Sequence, residues 1–225
     1  MNLQKVRAVL FDLDGTLLDT VKDIRICLNK TLRSFGYSEV SLTDAKRLIC
    51  AGVRNIIKGA LPEGSSDEQI EAVLAVYQPI YTDNCAVQTE AYPGATELLR
   101  HLTANGYLVG MITNKSEYQA EYLMHHYFPE TDFVIIWGNN GTRPLKPSPE
   151  SGRLACETLG LQPEEILFVG DGDTDNKFAV NNGFVSCGVS WGYRDPSLLR
   201  QLGAGFIVDH LTEIGERLDA ARGKE

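Results

Sequence analysis

Short apolar runs recur along the chain, and from Tyr92 onward they alternate with segments whose apolar residues follow a helical spacing. Six runs have the length of buried strands. They cover residues 6–11, 107–112, 133–136, 166–169, 185–189 and 206–208. Helical patterns lie between them at 95–104, 117–127, 149–159 and 174–182. This alternation predicts an α/β fold, a Rossmann-like parallel sheet with helices on both faces.

The span of residues 17–87 departs from this alternation, because it contains helical patterns and no convincing strand. Two of the helical patterns lie at 20–35 and 66–81. Ser41 and Asp44 resemble a capping box at the start of a further helix. A block of helices between the first and second core strands is expected to be an inserted all-α cap domain.

This interruption predicts a discontinuous core. We expect residues 1–16 and 88–225 to form the α/β core, and residues 17–87 to form the helical cap. The two connections, near 17–19 and 89–92, are the expected hinges between them.

Composition and charge exclude several classes of protein. The chain has 225 residues and a formal net charge of −9, which argues against nucleic acid or an anionic membrane as a partner. No apolar run has the length of a membrane helix, and the first residues lack the apolar core of a secretory signal. The odd, scattered set of cysteines indicates reduced thiols, so we expect a cytoplasmic protein. These are Cys27, Cys50, Cys85, Cys156 and Cys187.

Two aspartates, Asp12 and Asp14, follow the first apolar run directly. Residues i and i+2 of an extended chain point to the same side, so both carboxylates are expected to face one point beyond the strand end. Two acids held so close are unfavourable unless a cation or a reaction uses them. The segment is therefore a candidate metal and catalytic centre.

Three more groups of polar residues come after predicted strands. Thr113 and Asn114 follow the second core strand, and Lys146 lies beyond the third. Asp171 and Asp175 follow the fourth, within Gly-Asp-Gly-Asp-Thr-Asp. The carboxyl ends of parallel strands meet at one edge of a sheet, so these residues are expected to converge on the first aspartate pair.

Other interpretations of these groups exist. A lone Lys146 would be a surface lysine, and Lys115 and Arg143 are its nearest competitors for a functional role. The aspartate-rich segment suggests a calcium-binding loop of the EF-hand type. That interpretation fails because the sixth and twelfth loop positions hold Asn176 and Asn182 instead of Gly and Glu.

In this order, the four groups resemble the motifs of the haloacid dehalogenase superfamily of phosphatases. Those motifs are Asp-x-Asp-x-Thr, a Thr or Ser after the second core strand, a Lys, and Gly-Asp-x-x-x-Asp. The resemblance spans essentially the whole chain, the cap included. It implies that Asp12 is the nucleophile that forms an aspartyl-phosphate and that Asp14 transfers protons to the leaving alcohol and from water.

The same resemblance implies a Mg²⁺ cofactor, which suits ligands that are all hard oxygens. Asp12, Asp171 and the backbone carbonyl of Asp14 would hold the ion, and Asp175 would support them from one helical turn later. The transferring phosphoryl group would be bound by three residues. These are Thr113 through its hydroxyl, Asn114 through its backbone N–H, and Lys146 through its charge.

Asp14 also narrows the reaction. The dehalogenase and phosphonatase branches lack an acid at this position, so the resemblance implies phosphate-ester hydrolysis or phosphoryl transfer. Residues 52–61 and Trp191-Gly-Tyr193 resemble segments of phosphoglycolate phosphatases. We therefore take 2-phosphoglycolate as the leading substrate, with Arg54 of the cap as a candidate partner for its carboxylate.

Several alternatives stay open. The substrate could instead be pyrophosphate, a sugar phosphate or a nucleotide, or the protein could be a phosphomutase such as β-phosphoglucomutase. A non-enzymatic binding or regulatory protein is disfavoured, because a pure binder has no need of Asp14. We expect a monomer or a homodimer that acts on a small phosphorylated metabolite.

Overall fold

The computed structural model describes residues 2–49 and 52–223, and in them a six-stranded parallel sheet has the order β5-β4-β1-β6-β7-β8. A separate ribbon pairs β2 with β3 in antiparallel fashion. The strands are β1 (Ala8–Phe11), β2 (Leu18–Asp19), β3 (Glu90–Ala91), β4 (Leu108–Ser116), β5 (Ile135–Asn139), β6 (Ile166–Gly170), β7 (Val185–Val189) and β8 (Phe206–Val208). The parallel sheet confirms the predicted fold class.

In the described residues, five helices precede β4, the second strand of the main sheet along the chain, and five follow it. The helices are α1 (Val21–Ser34), α2 (Leu42–Leu48), α3 (Val53–Ala60), α4 (Asp67–Asn84), α5 (Ala95–Ala104), α6 (Glu117–Tyr127), α7 (Glu150–Leu159), α8 (Asp173–Asn182), α9 (Pro196–Gln201) and α10 (Thr212–Ala221). Each helix and strand predicted for the core is present, with ends shifted by a few residues.

Strand β1 lies at the centre of the sheet because its residues are apolar on both faces. Val9 and Phe11 belong to one apolar cluster, and Ala8 and Leu10 belong to another on the opposite face. Alternate residues of a strand point to opposite faces, which accounts for this division. All four are buried, as expected for a central parallel strand covered by helices on both sides.

Strand β4 extends further than the sequence predicts. The predicted strand ends at residue 112, whereas β4 continues to Ser116 and includes Thr113, Asn114 and Lys115. Its register against β5 shifts between Ile112 and Ser116. The apolar pattern could not show this extension, because the added residues are polar, although Thr113, Asn114 and Lys115 are buried.

Helices α1–α4 occupy the span predicted as the cap. The end of α1 has the expected glycine, since Gly36 adopts a φ of +75° just beyond the helix. Ser66 and Gln69 form a capping box at the start of α4. The division of the chain into core and cap stays a prediction.

The prediction that residues 17–87 contain no strand is wrong in one detail. Strand β2 lies in this span and pairs with β3, with Leu18 opposite Ala91 and Asp19 opposite Glu90. A strand of two residues has no periodicity that a sequence pattern can reveal. This ribbon lies where the two hinges are expected.

The second connection is anchored by Asp23 of α1, which is buried. Its carboxylate accepts hydrogen bonds from the backbone N–H groups of Val87, Gln88 and Thr89, at 2.8–3.0 Å. The hydroxyl of Thr89 also donates to it, at 2.9 Å. The chain therefore returns to the sheet along a path fixed by one carboxylate.

Across the described residues, no helix is both long enough and apolar enough to cross a membrane. The cysteines in those residues have free thiols: Cys27, Cys85 and Cys187 are buried, and Cys156 is partly buried. Cys50 lies outside the described residues.

Candidate active site

Three carboxylates from two strand ends converge at the edge of the sheet. Asp12 follows β1, and its backbone N–H donates to the carbonyl of Val169 in β6 at 2.9 Å. Asp171 follows β6, and Asp175 lies in the first turn of α8. One oxygen from each of the three carboxylates lies within 4.8 Å of the others. The structure thus brings together the aspartates that the sequence predicts to meet.

Lys146 neutralises part of this charge. Its Nζ lies 2.6 Å from Asp175 Oδ1 and 2.9 Å from Asp12 Oδ1, and its side chain is buried. Burial lowers the pKa of Lys146, but the attraction of Asp12 and Asp175 outweighs it, so the pKa is raised. The ammonium is therefore held in its charged form against the proposed nucleophile.

Asn114 fixes the loop that carries Lys146. Its side-chain oxygen accepts the backbone N–H of Lys146 at 2.8 Å, and its side-chain amide donates to the carbonyl of Lys146 at 3.0 Å. This paired contact was not predicted, since the sequence suggested only a backbone role for Asn114. The competitor Arg143 forms an ion pair with Glu117 instead, and its guanidinium lies 5.3 Å from the centre of the Trp137 ring.

The carboxylates still repel one another electrostatically, even with Lys146 beside them. Burial raises the pKa of Asp171 well above its usual value, and the neighbouring charges of Asp175 and Asp12 raise it further. Burial and Asp12 also raise the pKa of Asp175, to about 6, although Lys146 opposes them. Such an arrangement favours binding of a further cation.

The donor set fits a magnesium ion. All of its atoms are hard carboxylate oxygens, which Mg²⁺ prefers. Asp12 Oδ1 is buried and accepts no well-aligned hydrogen bond from the described residues, although Lys146 lies close to it. A buried anionic oxygen without such a bond is suited to a metal ion, so the residues present could hold one.

The loop after β7 packs tightly against Asp171. The backbone N–H of Tyr193 donates to Asp171 Oδ2 at 2.6 Å. A Cβ on Gly192 would overlap the Asp171 side chain, and a Cβ on Gly15, whose φ is +84°, would lie 2.5 Å from its Oδ2. The Trp-Gly-Tyr segment therefore has a physical role, which is to place a backbone donor on a buried carboxylate.

Asp14 lies beside this cluster and has its own partners. The hydroxyl of Thr20 donates to its Oδ1 at 2.6 Å, and Lys115 Nζ donates to Oδ1 at 2.9 Å and to Oδ2 at 3.2 Å. The phenol oxygen of Tyr193 lies 3.3 Å from the same threonine hydroxyl. The sequence did not indicate Thr20, and it suggested Lys115 only as a competitor of Lys146. The position of Lys115 directly after the Thr-Asn pair was the available signal.

The three-aspartate cluster and Asp14 face a cavity of ≈ 50 Å³ between the sheet edge and helices α1, α3 and α4. Asp12, Asp14 and Thr113 line it from the sheet, and Ile56 and Tyr81 line it from the helices. Thr113 is buried, and its Oγ1 accepts the backbone N–H of Lys115 at 3.3 Å. The cavity is therefore polar on the side of the sheet and largely apolar on the side of the helices.

Arg54 is not among the described residues that line the cavity. Its guanidinium donates to Asp67 Oδ1 at 2.6 Å and to Glu71 Oε1 at 2.7 Å, on helix α4. Its substrate-binding role stays a prediction, and the structure gives this side chain other partners.

Core residues hold the helices over the cavity. Arg194 lines the cavity and donates to the carbonyls of Lys46, Arg47 and Ile49, at the carboxyl end of α2. Helix ends leave carbonyls without helical partners, so a cation is favourable there. Lys115 makes a second connection, since its Nζ also donates to the hydroxyl of Tyr81 at 2.7 Å.

Comparison with known proteins agrees with this geometry. The sequence profile of the haloacid dehalogenase-like hydrolases matches residues 9–189. The chain is 33% identical to the N-acetylmuramic acid 6-phosphate phosphatase of Pseudomonas aeruginosa, over 98% of both chains. It is 31% identical to phosphoglycolate phosphatase 1 of the same organism, over 92% of this chain and 78% of that one.

Solved structures show the same fold. A phosphoglycolate phosphatase candidate from Lactobacillus delbrueckii subsp. bulgaricus superposes with a TM-score of 0.88 at 26% identity. The match covers 94% of this chain and 98% of that one. The chain therefore belongs to the haloacid dehalogenase-like hydrolase family, among its phosphatases.

Proposed function

We propose that the protein hydrolyses small phosphate monoesters through an aspartyl-phosphate on Asp12. The observation that supports this most directly is the convergence of Asp12, Lys146, Asp171 and Asp175 at one point, with Asp14 beside them. A nucleophile, a charge to hold it and a separate acid are the groups that a two-step phosphoryl transfer requires.

In the first step, a carboxylate oxygen of Asp12 attacks phosphorus, and the bond from phosphorus to the ester oxygen breaks. Asp14 gives its proton to the departing alkoxide, so that an alcohol leaves. In the second step, Asp14 takes a proton from water, whose oxygen attacks the same phosphorus. The phosphate then leaves, and the Asp12 carboxylate is restored.

The neighbouring residues support these steps. Thr113 and the backbone N–H of Asn114 would donate to the phosphoryl oxygens, where negative charge increases during transfer. Lys146 would hold Asp12 and attract the phosphate. Thr20 and Lys115 keep the Asp14 carboxyl in one orientation, through hydrogen bonds of 2.6 Å and 2.9 Å.

We also propose Mg²⁺ as the cofactor. Asp12, Asp171 and the backbone carbonyl of Asp14 would hold it, and Asp175 would support them by orienting Lys146. When bound, the ion would supply positive charge that offsets the phosphate and the crowded carboxylates. A chain of net charge −9 requires such a local reversal to attract an anionic substrate.

For the substrate, we propose 2-phosphoglycolate first. The relatives named phosphoglycolate phosphatase support it, and the small volume of the cavity favours a small leaving group. The second candidate is N-acetylmuramic acid 6-phosphate, which the name of the 33% identical relative supports. An amino sugar of that size requires a wider opening between the sheet edge and the helices.

The test is phosphate release with Mg²⁺ from a panel of esters. The panel contains 2-phosphoglycolate, N-acetylmuramic acid 6-phosphate, pyrophosphate, a nucleotide and several sugar phosphates. We expect the highest kcat/KM for 2-phosphoglycolate and none of this activity in Asp12→Asn. A wild-type protein that is inert across the panel would overturn the proposed function, and a preference for the amino sugar would replace the substrate.

A further inference from the structure

Among the described residues that line the cavity, two carry a full positive charge, Lys115 and Arg194. Arg194 donates to three backbone carbonyls of the segment that ends helix α2. Lys115 instead contacts side chains, one on each side of the cavity. It is therefore the cation whose surroundings bear most directly on a ligand.

The Lys115 ammonium lies between the proposed acid and helix α4. Its Nζ is 2.9 Å from Asp14 Oδ1, 2.7 Å from the Tyr81 hydroxyl oxygen and 4.7 Å from the centre of the Tyr81 ring. Its side chain is only 4% exposed. Tyr81 is in turn stacked on Tyr77, with ring centres 5.5 Å apart and nearly parallel. The position of this charge is thus fixed from both sides.

Because the Lys115 ammonium contacts Asp14, it lies close to the leaving group of the substrate. To protonate the ester oxygen, Asp14 must come within hydrogen-bonding distance of that oxygen. The Lys115 ammonium already touches Asp14, so it lies next to whatever the ester oxygen is bonded to. In 2-phosphoglycolate, one methylene group separates the ester oxygen from the carboxylate. A carboxylate so placed falls within reach of Nζ.

We propose that Lys115 is a specificity-determining residue that binds a carboxylate carried close to the ester oxygen of the leaving group. The preferred substrates are then phosphate esters of small 2-hydroxy acids. Tyr81 positions the ammonium for this contact. The inference rests on the proposed phosphatase function and narrows its substrate class.

The proposal separates the two candidate substrates. The carboxylate of N-acetylmuramic acid 6-phosphate lies on a lactyl ether at C3, many bonds away from the phosphorylated oxygen at C6. A charge adjacent to Asp14 is better placed for a carboxylate one methylene group from the ester oxygen than for one this many bonds away. The position of Lys115 therefore favours 2-phosphoglycolate, as does the small volume of the cavity.

The test compares two esters of similar size, 2-phosphoglycolate and the uncharged n-propyl phosphate, in wild type and in Lys115→Met. The quantity measured is kcat/KM for 2-phosphoglycolate divided by kcat/KM for n-propyl phosphate. Asp14 loses a partner in the variant, so turnover of both esters is expected to fall. We expect the ratio to fall by a further 10- to 100-fold, about the contribution of one charged hydrogen bond, mainly through KM for 2-phosphoglycolate.

Lys177→Met is the matched control. Lys177 also pairs with an aspartate, Asp173, at 2.9 Å, but it is exposed on α8. The ratio should stay at the wild-type value in this variant. Tyr81→Phe is the second variant, because it removes only the hydroxyl that contacts Nζ. We expect it to lower the ratio by about 3- to 10-fold while leaving the fold intact.

The outcomes are distinct. An equal loss for both esters in Lys115→Met would show that this residue only positions Asp14, and would overturn the proposal. If Lys115→Met does not fold, an unchanged ratio in Tyr81→Phe overturns it instead. Failure of the wild type to hydrolyse either ester would overturn the proposed function itself, together with this inference.

Discussion

The sheet edge and helices α1–α4 place their polar residues in different ways. At the sheet edge, Asp12 and Asp175 both contact Lys146, and Lys146 and Asp175 are buried. On the helices, Arg54 is partly exposed and paired with acids of its own helical block, and the cavity wall contains apolar and aromatic side chains.

This difference has a physical cause. Parallel strands end together, so residues that follow them must meet whatever the rest of the chain does. A helix offers no such common end, and which of its side chains faces the cavity depends on how it packs. The proposed catalytic residues therefore lie at the sheet edge. The proposed substrate selectivity arises where the two regions are in contact, at Lys115 and Tyr81.

The largest effect is expected from Asp12→Asn, which removes the proposed nucleophile from the sheet edge. An amide cannot form the acyl phosphate, so kcat should fall by at least about 10⁴-fold. Phosphate release in steady state measures this, and circular dichroism serves as the control for folding. Residual activity within 100-fold of wild type would place the reaction outside the sheet edge.

The next largest effect concerns the connection between the two regions. Asp23→Ala leaves the backbone N–H groups of residues 87–89 without their acceptor. We expect the free energy of unfolding to fall by about 3 kcal/mol, because charged hydrogen bonds are lost together. Denaturant titration measures it. The exposed Asp83→Ala, on α4, should change stability by less than about 0.5 kcal/mol, and an equal loss in both variants would contradict this role.

Magnesium ions should stabilise the sheet edge. At about 100 times its dissociation constant, a ligand that binds only the folded state adds about 2.7 kcal/mol to the free energy of unfolding. We expect thermal unfolding to shift upward with Mg²⁺ in wild type and to shift much less in Asp171→Asn, which removes a proposed ligand. Equal shifts in the two proteins would show that the ion binds elsewhere.

The smallest effect is expected from Arg54→Ala. Because Arg54 is paired with Asp67 and Glu71 outside the cavity, KM for 2-phosphoglycolate should change by less than about 3-fold. p-Nitrophenyl phosphate, assayed in parallel, provides the comparison. A large rise in KM for 2-phosphoglycolate alone would support the role that the sequence predicts for Arg54 and would weaken the contrast between the two regions.

Much of the sheet edge was predictable. The apolar runs identify all six strands of the sheet, and the motif residues that follow them do converge. The helical block was predictable as helices, through the cap at Ser66 and the glycine after α1. The ribbon of β2 and β3 was not, because two-residue strands leave no pattern.

The partners of the buried polar groups were also beyond prediction. Tyr193 contacts Thr20, and Lys115 contacts Tyr81, across separations of 173 and 34 residues. Nothing in the local sequence of either partner indicates the other. From its position in the sequence, Asp23 is an ordinary acid in the first turn of a helix, where acids are favoured by the helix dipole. Nothing local indicates that it binds residues 87–89.

Local patterns in the sequence are enough to predict the sheet, its helices and the order of the acidic, hydroxyl and basic residues at its edge. Periodicity and strand ends are local properties, so a chain read residue by residue reveals them. Three contacts depend on the packing of the folded chain: Lys115 with Asp14, Arg194 with the end of α2, and Arg54 with α4. Each of these depends on how helices pack against the sheet, which is a property of the whole chain.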